Sequence, residues 1–137
     1  MLIRLLHKSL PVFALAILCG VANIADGHEY VKRLRNPATV KGFIGGESHN
    51  SYVIKVRKGQ TLTVQISWKH EHDKELGDNH AEFFVSDLPD FGEDAVKFGK
   101  EAHNGTRLSG KVPKTGNYYI YVMGHPTAYY TLRVTIK

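Results

Sequence analysis

The chain has 137 residues, a formal net charge of +5, 42% hydrophobic residues and one cysteine, Cys19. This length implies a single domain, and one cysteine near the N-terminus excludes a disulfide framework and thiol catalysis in the remainder. The basic residues are dispersed, with no block of five or six like charges, so a nucleic-acid surface is not expected.

Residues 1–27 read as a signal peptide. Arg4 and Lys8 form a positive n-region, and Leu10 to Ala22 is an uncharged, nearly continuous apolar run. That run falls short of the roughly 20 residues of a spanning helix but suits an h-region. Small residues offer cleavage after Ala22, Ala25 or Gly27, whereas Leu18 stands where a lipoprotein signal would need a small residue before Cys19. The expected product is periplasmic or secreted, with no membrane association after cleavage. Removing the segment takes away Arg4, Lys8 and Asp26 and leaves a net charge of +4.

His28 to Pro37 is charged and aperiodic and is expected as a flexible leader of marginal order. Residues 38–137 then form one domain. A first strand is predicted over Ala38 to Ile44, closed by the turn Gly45-Gly46, and a second over Ser51 to Arg57 with Tyr52, Ile54 and Val56 on its inner face. Gln60 to Trp68 alternates strictly: Leu62, Val64, Ile66 and Trp68 share one face, Thr61, Thr63, Gln65 and Ser67 the other. Such period-2 patterning marks a half-buried antiparallel strand. The Lys58-Gly59 link before it reads as a hairpin turn with positive φ at glycine. Lys69 to His80 is polar apart from Leu76 and is expected as a loop. Further strands are predicted over Ala81 to Ser86, Thr106 to Val112, Asn117 to Met123 and Ala128 to Ile136. Phe91, Val96 and Phe98 are the expected core anchors of the connection from Asp87 to Asn104. Within that connection's end and the strand after it, Asn104-Gly105-Thr106 reads as a turn. Seven or eight short strands with a turn signal about every ten residues predict an all-β, two-sheet antiparallel β-sandwich.

The order of several short motifs carries a resemblance. Lys41-Gly42-Phe43 precedes a tyrosine-containing strand, Ser51-Tyr52-Val53-Ile54, and Lys58-Gly59-Gln60 precedes Leu62-Thr63-Val64. Leu108-Ser109-Gly110 follows, then Lys114-Thr115-Gly116-Asn117-Tyr118 and Tyr130-Thr131-Leu132-Arg133-Val134. From about Val40 to Lys137 the chain resembles the bacterial periplasmic inhibitors of g-type lysozyme, within the wider group of sandwiches similar to the bacterial pre-peptidase C-terminal domain. That family carries Ser-Gly-x-Tyr before the penultimate strand, where this chain has Thr115-Gly116-Asn117-Tyr118. The family's longer, Arg-rich loop between the last two strands is reduced here to Met123-Gly124-His125-Pro126-Thr127. The resemblance implies a non-enzymatic protein whose loops occlude the cleft of a g-type lysozyme. Thr115, Gly116, Asn117, Tyr118 and His125 are then the expected partner-binding residues. Tyr118 would be the aromatic anchor, since tyrosine brings contact area at low entropy cost.

A rival reading makes the chain an accessory domain for a metal ion or cell-wall carbohydrate. His70, His72 and His80 share an acidic loop, residues 69–80, and imidazole with carboxylate suits zinc or copper. The loop nevertheless matches no metal-ligand spacing, so no metal ligand and no cofactor is assigned. Tyr119 and Tyr121 alternate with Ile120 and Val122, which predicts an exposed aromatic face for carbohydrate. No nucleophile–base spacing, G-x-S-x-G or phosphate-binding glycine loop stands in the chain, so no enzyme activity is expected.

Overall fold

The chain alternates between two stacked layers. In the computed structural model, which describes residues 30–91, 98 and 100–137, the strands are β1 (Val31–Arg33), β2 (Ala38–Gly45), β3 (His49–Val56), β4 (Thr61–Trp68), β5 (His72–Asp73), β6 (Gly77–Asp78), β7 (His80–Ser86), β8 (Lys100–Ala102), β9 (Arg107–Lys111), β10 (Gly116–His125) and β11 (Thr127–Ile136). One sheet has the order β1-β3-β10-β7, the other β2-β11-β4-β9-β8, and β5 with β6 forms a small separate ribbon. The predicted sandwich is present, and each predicted strand lies within a few residues of its expected bounds. The predicted signal peptide, His28 and Val96 lie outside the described residues.

Burial follows the period-2 pattern. Leu62, Val64 and Ile66 of β4, Leu132 and Val134 of β11, Ile54 and Val56 of β3, and Ile120 and Val122 of β10 fill one core between the sheets. Each such aliphatic side chain removed from water contributes about 1.5–3 kcal/mol against the entropy cost of ordering the chain. The central strands β10 and β11 follow one another in sequence yet belong to different sheets, so Pro126 is a corner that turns the chain from one layer into the other.

Several expectations are corrected. The Lys58-Gly59 link is no hairpin: β3 pairs with β1 and β10, while β4 pairs with β11 and β9. Each strand therefore finds its ladder partners elsewhere, and the link carries the chain between sheets. Gly59 does take the positive φ expected of it, +84°. The stretch expected as a flexible leader contributes a strand as well. β1 runs parallel to β3, Leu34 donates its backbone N–H to the Val53 carbonyl at 2.8 Å, and the Leu34 side chain is buried. Asn36 then acts like a strand residue through its side chain, donating to the Ile136 carbonyl and accepting from the Ile136 N–H. No apolar periodicity announces such an arrangement.

The loop expected at Lys69 to His80 also contains order, the ribbon β5–β6. Asn79 knots it together. Its side chain accepts from the Glu71 N–H at 2.7 Å and donates to the Lys69 carbonyl, and its backbone carbonyl accepts from the Trp68 indole. Further on, β8 pairs with β9, and Phe98 packs against the core as anticipated, edge-on to Tyr118. Phe91 anchors a different layer, described below. The predicted turn at 104–106 is present, with His103, Asn104 and Gly105 all at positive φ.

One polar network crosses the core. Tyr52 of β3 and Tyr130 of β11 meet hydroxyl to hydroxyl at 2.5 Å, and Asn50 Nδ2 donates both to the Tyr130 hydroxyl and to the Phe43 carbonyl. Gly42 makes room for it: a Cβ there would lie 2.5 Å from the Tyr130 hydroxyl. Burial, reinforced by the bond to Tyr130, holds the Tyr52 phenol protonated well above its ordinary value.

Tyr130→Phe should therefore destabilise by about 1–3 kcal/mol, because the Tyr52 hydroxyl is left buried without its partner. Tyr52→Phe combined with Tyr130→Phe should cost less than the two single changes summed, measured by denaturant unfolding. Because the folded state keeps the Tyr52 proton and the unfolded state loses it near pH 10, this contribution is intact below pH 10 and declines above it. A thermal midpoint that falls as pH is raised past 10 in the parent more than in Tyr52→Phe is the expected readout.

Candidate functional site

Two rims close the sandwich, and the expected partner-binding residues divide between them. Thr115 to Asn117 stand where β10 begins, and His125 stands where it ends. Ten residues of strand at about 3.3 Å each separate the two ends by roughly 30 Å. They cannot share one loop surface.

At the first rim the β9–β10 turn is laced to the β3–β4 corner. The Lys58 N–H donates to Thr115 Oγ1 at 2.8 Å, the Arg57 N–H to Gln60 Oε1, the Gly59 N–H to the Val112 carbonyl and the Val112 N–H to the Gln60 carbonyl. Lys55, Arg57, Gln60 and Thr115 line an open depression beside this joint. The Lys114 ammonium pairs with the Asp87 carboxylate; that contact holds the Asp87 carboxyl below its usual range and raises the Lys114 ammonium. Thr115 and Asn117 are exposed and Gly116 is partly so. Gly116 does not take a positive φ; it is the first residue of β10.

Tyr118 corrects the sequence reading most sharply. Its side chain is fully buried, at 0% exposure, and offers no surface to a partner. Its hydroxyl donates to the Lys114 carbonyl at 2.7 Å, so the residue shapes the Lys114–Thr115 turn from beneath. Even-numbered residues of β10 point inward, and Tyr118 obeys the same alternation as Ile120 and Val122.

The expected exposed aromatic face is covered at Tyr121 and half-buried at Tyr119. Tyr121 is at 0% exposure although it points away from the main core. The segment after β7 folds over it: the Tyr121 hydroxyl donates to the Leu88 carbonyl, the Leu88 N–H donates to Ser86 Oγ, and Phe91 stacks on His49 with ring centroids 3.7 Å apart. Phe84 completes this second, smaller apolar layer.

At the opposite rim β7 and β10 run antiparallel with His80 directly across from His125. Their rings stack at 4.6 Å, and His125 Nε2 lies 2.9 Å from Glu82 Oε1. Glu82 is two residues from His80 and projects from the same face of β7. The ligand-capable atoms of His80, Glu82 and His125 all lie within 4.8 Å of one another. Sequence proximity groups His80 with His70 and His72. The fold instead pairs His72 with Asp78 across the β5–β6 ribbon at 2.7 Å and sets His70 against Trp68. The signal for the real grouping was the inward phase of β7 and β10, which places His80, Glu82 and His125 on one outer face; it becomes usable only once the two strands are known to be neighbours.

No family model and no curated protein matches the sequence. Solved structures do match the fold. The periplasmic inhibitor of g-type lysozyme from Aeromonas hydrophila superposes with a TM-score of 0.59 at 21% identity, over 78% of this chain and 96% of that one. The corresponding inhibitor from Salmonella Typhimurium gives 0.53 at 21% identity, over 78% and 98%. The pre-peptidase C-terminal domain of a Bacillus anthracis collagenase gives 0.50 at 20% identity, over 80% and 96%. The chain therefore has the fold shared by these lysozyme inhibitors and the pre-peptidase C-terminal domain.

Proposed function

We propose that this chain is a secreted or periplasmic, non-enzymatic inhibitor of g-type lysozyme, exported by residues 1–27. The observation that carries the reading is the likeness to two such inhibitors over nearly their whole length. The first rim supplies the contact surface. Thr115, Gly116 and Asn117 project from a turn that Tyr118 and the Lys58–Thr115 bond hold in place. Rigid backbone limits the entropy lost on docking. The Thr115 hydroxyl accepts from Lys58 within the chain and can donate outward. Lys55, Arg57 and Lys58 surround it with positive charge. Glycoside-hydrolysing clefts depend on carboxyl groups, and a cationic, donor-bearing rim complements them. An inhibitor contact of standard size needs roughly 800 Å² from each partner, which one end of this sandwich with a strip of adjoining strand can supply. His125 lies at the far rim and takes no part in this surface.

The test is clearing of a bacterial cell-wall suspension by a goose-type lysozyme in the presence of the processed protein. Inhibition is expected at about micromolar concentration or below. Thr115→Arg and Lys58→Glu should each raise the half-inhibitory concentration by roughly tenfold, while His125→Ala leaves it unchanged. Undiminished lysis at ten micromolar protein, about tenfold above the expected inhibitory concentration, would defeat the reading.

A further inference from the structure

We propose that His80, Glu82 and His125 form a binding site for a divalent transition-metal ion of the zinc class, outside the surface assigned to lysozyme. The argument starts from sheet geometry. Directly opposed residues in an antiparallel pair carry Cβ atoms about 4.5–5.5 Å apart, and His80 and His125 are such a pair. Glu82 joins them because alternate residues of one strand share a face. All three are exposed, so an ion reaches them without any opening of the fold.

The donor set points to a class of metal. Two imidazoles and one carboxylate suit zinc and its borderline neighbours, whereas magnesium and calcium favour oxygen alone. Zinc held by three side chains keeps a fourth position for water. With Zn–N bonds of about 2.0–2.1 Å, two ligands at the tetrahedral angle lie roughly 3.4 Å apart. The present separations, up to 4.8 Å, close to that value by small rotations of exposed side chains. The His125–Glu82 contact at 2.9 Å already brings two of the three together.

The backbone beneath the site is held on both sides, which is what a ligand set needs to bind without paying for its own ordering. Asn79, immediately before His80, is buried and bonded to Lys69, Glu71 and Trp68. Gly124, immediately before His125, packs so tightly that a Cβ would lie 2.6 Å from Ile44 Cγ2. Just beyond it, the Pro126 carbonyl accepts from the Gly46 N–H at 3.2 Å. β7 is the edge of its sheet, and an ion bridging it to β10 would clamp that edge to the strand beside it.

Calorimetric titration of the processed protein with zinc chloride should give one saturable site with a dissociation constant of about ten micromolar or tighter, and zinc should raise the thermal midpoint. His80→Ala, Glu82→Gln and His125→Ala should each weaken binding at least tenfold, since loss of even an outer-shell partner of a metal ligand costs about 10–100-fold. These residues are exposed, so the variants should keep the parent circular dichroism. His72→Ala, which breaks the nearby pair with Asp78, should leave affinity unchanged. Copper bound at one equivalent should show two imidazole nitrogens by electron paramagnetic resonance. No saturable zinc binding, binding that survives all three substitutions, or binding lost in His72→Ala would each overturn the proposal.

Discussion

The chain can bury its apolar strand faces only by crossing between layers at almost every connection. β2, β3, β4, β7, β9, β10 and β11 fall alternately in the two sheets. A hydrophobic face presented by one strand is therefore covered by strands that precede or follow it in the other layer. The corners at Lys58-Gly59 and at Pro126 are consequences of this constraint. So is the Tyr52–Tyr130 bond, which joins adjacent layers through polar atoms that would otherwise be costly to bury. Among the described residues only β5–β6 and β8–β9 are consecutive strands that pair with each other.

The same constraint separates the two candidate surfaces. A central strand ten residues long carries its first and last residues to opposite rims, and alternation decides which side chains leave the core. Thr115 and Asn117 face outward at one end; His125 faces outward at the other. Tyr118, between them in position, is committed to the interior. Its hydroxyl supports the Lys114–Thr115 turn from beneath. Chemistry of two kinds can thus coexist on one small domain without competing for the same atoms: a cationic, hydroxyl-bearing rim on one side, an imidazole–carboxylate cluster on the other.

Much of the fold was legible because alternation is a local signal. Leu62, Val64 and Ile66 announce their strand and its buried face without help from the rest of the chain. Pairing is not local. Nothing in Arg57-Lys58-Gly59-Gln60 distinguishes a hairpin from a corner, because both need a short glycine turn; the difference lies in which strands satisfy β3 and β4 from elsewhere. The 28–37 stretch was illegible for a related reason, since β1 is held by the backbone of β3 and by the Asn36 amide rather than by an apolar pattern. The site residues show the same division. Thr115 and Asn117 could be placed on a turn from composition, whereas the union of His80 with His125 depends on a β7–β10 register that joins residues 45 positions apart. Tyr118 was misread because a tyrosine beside a turn looks like an anchor until its phase in the strand is counted.

Interstrand backbone NOEs in isotopically labelled, processed protein test the two-layer alternation most directly. The account predicts contacts joining Tyr121 to Ser51 and to Phe84, Leu132 to Val40 and to Ile66, and His125 to His80, with no ladder between β3 and β4. A continuous ladder running from Val56 back along Thr61 and Thr63 would place those strands in one sheet and contradict it.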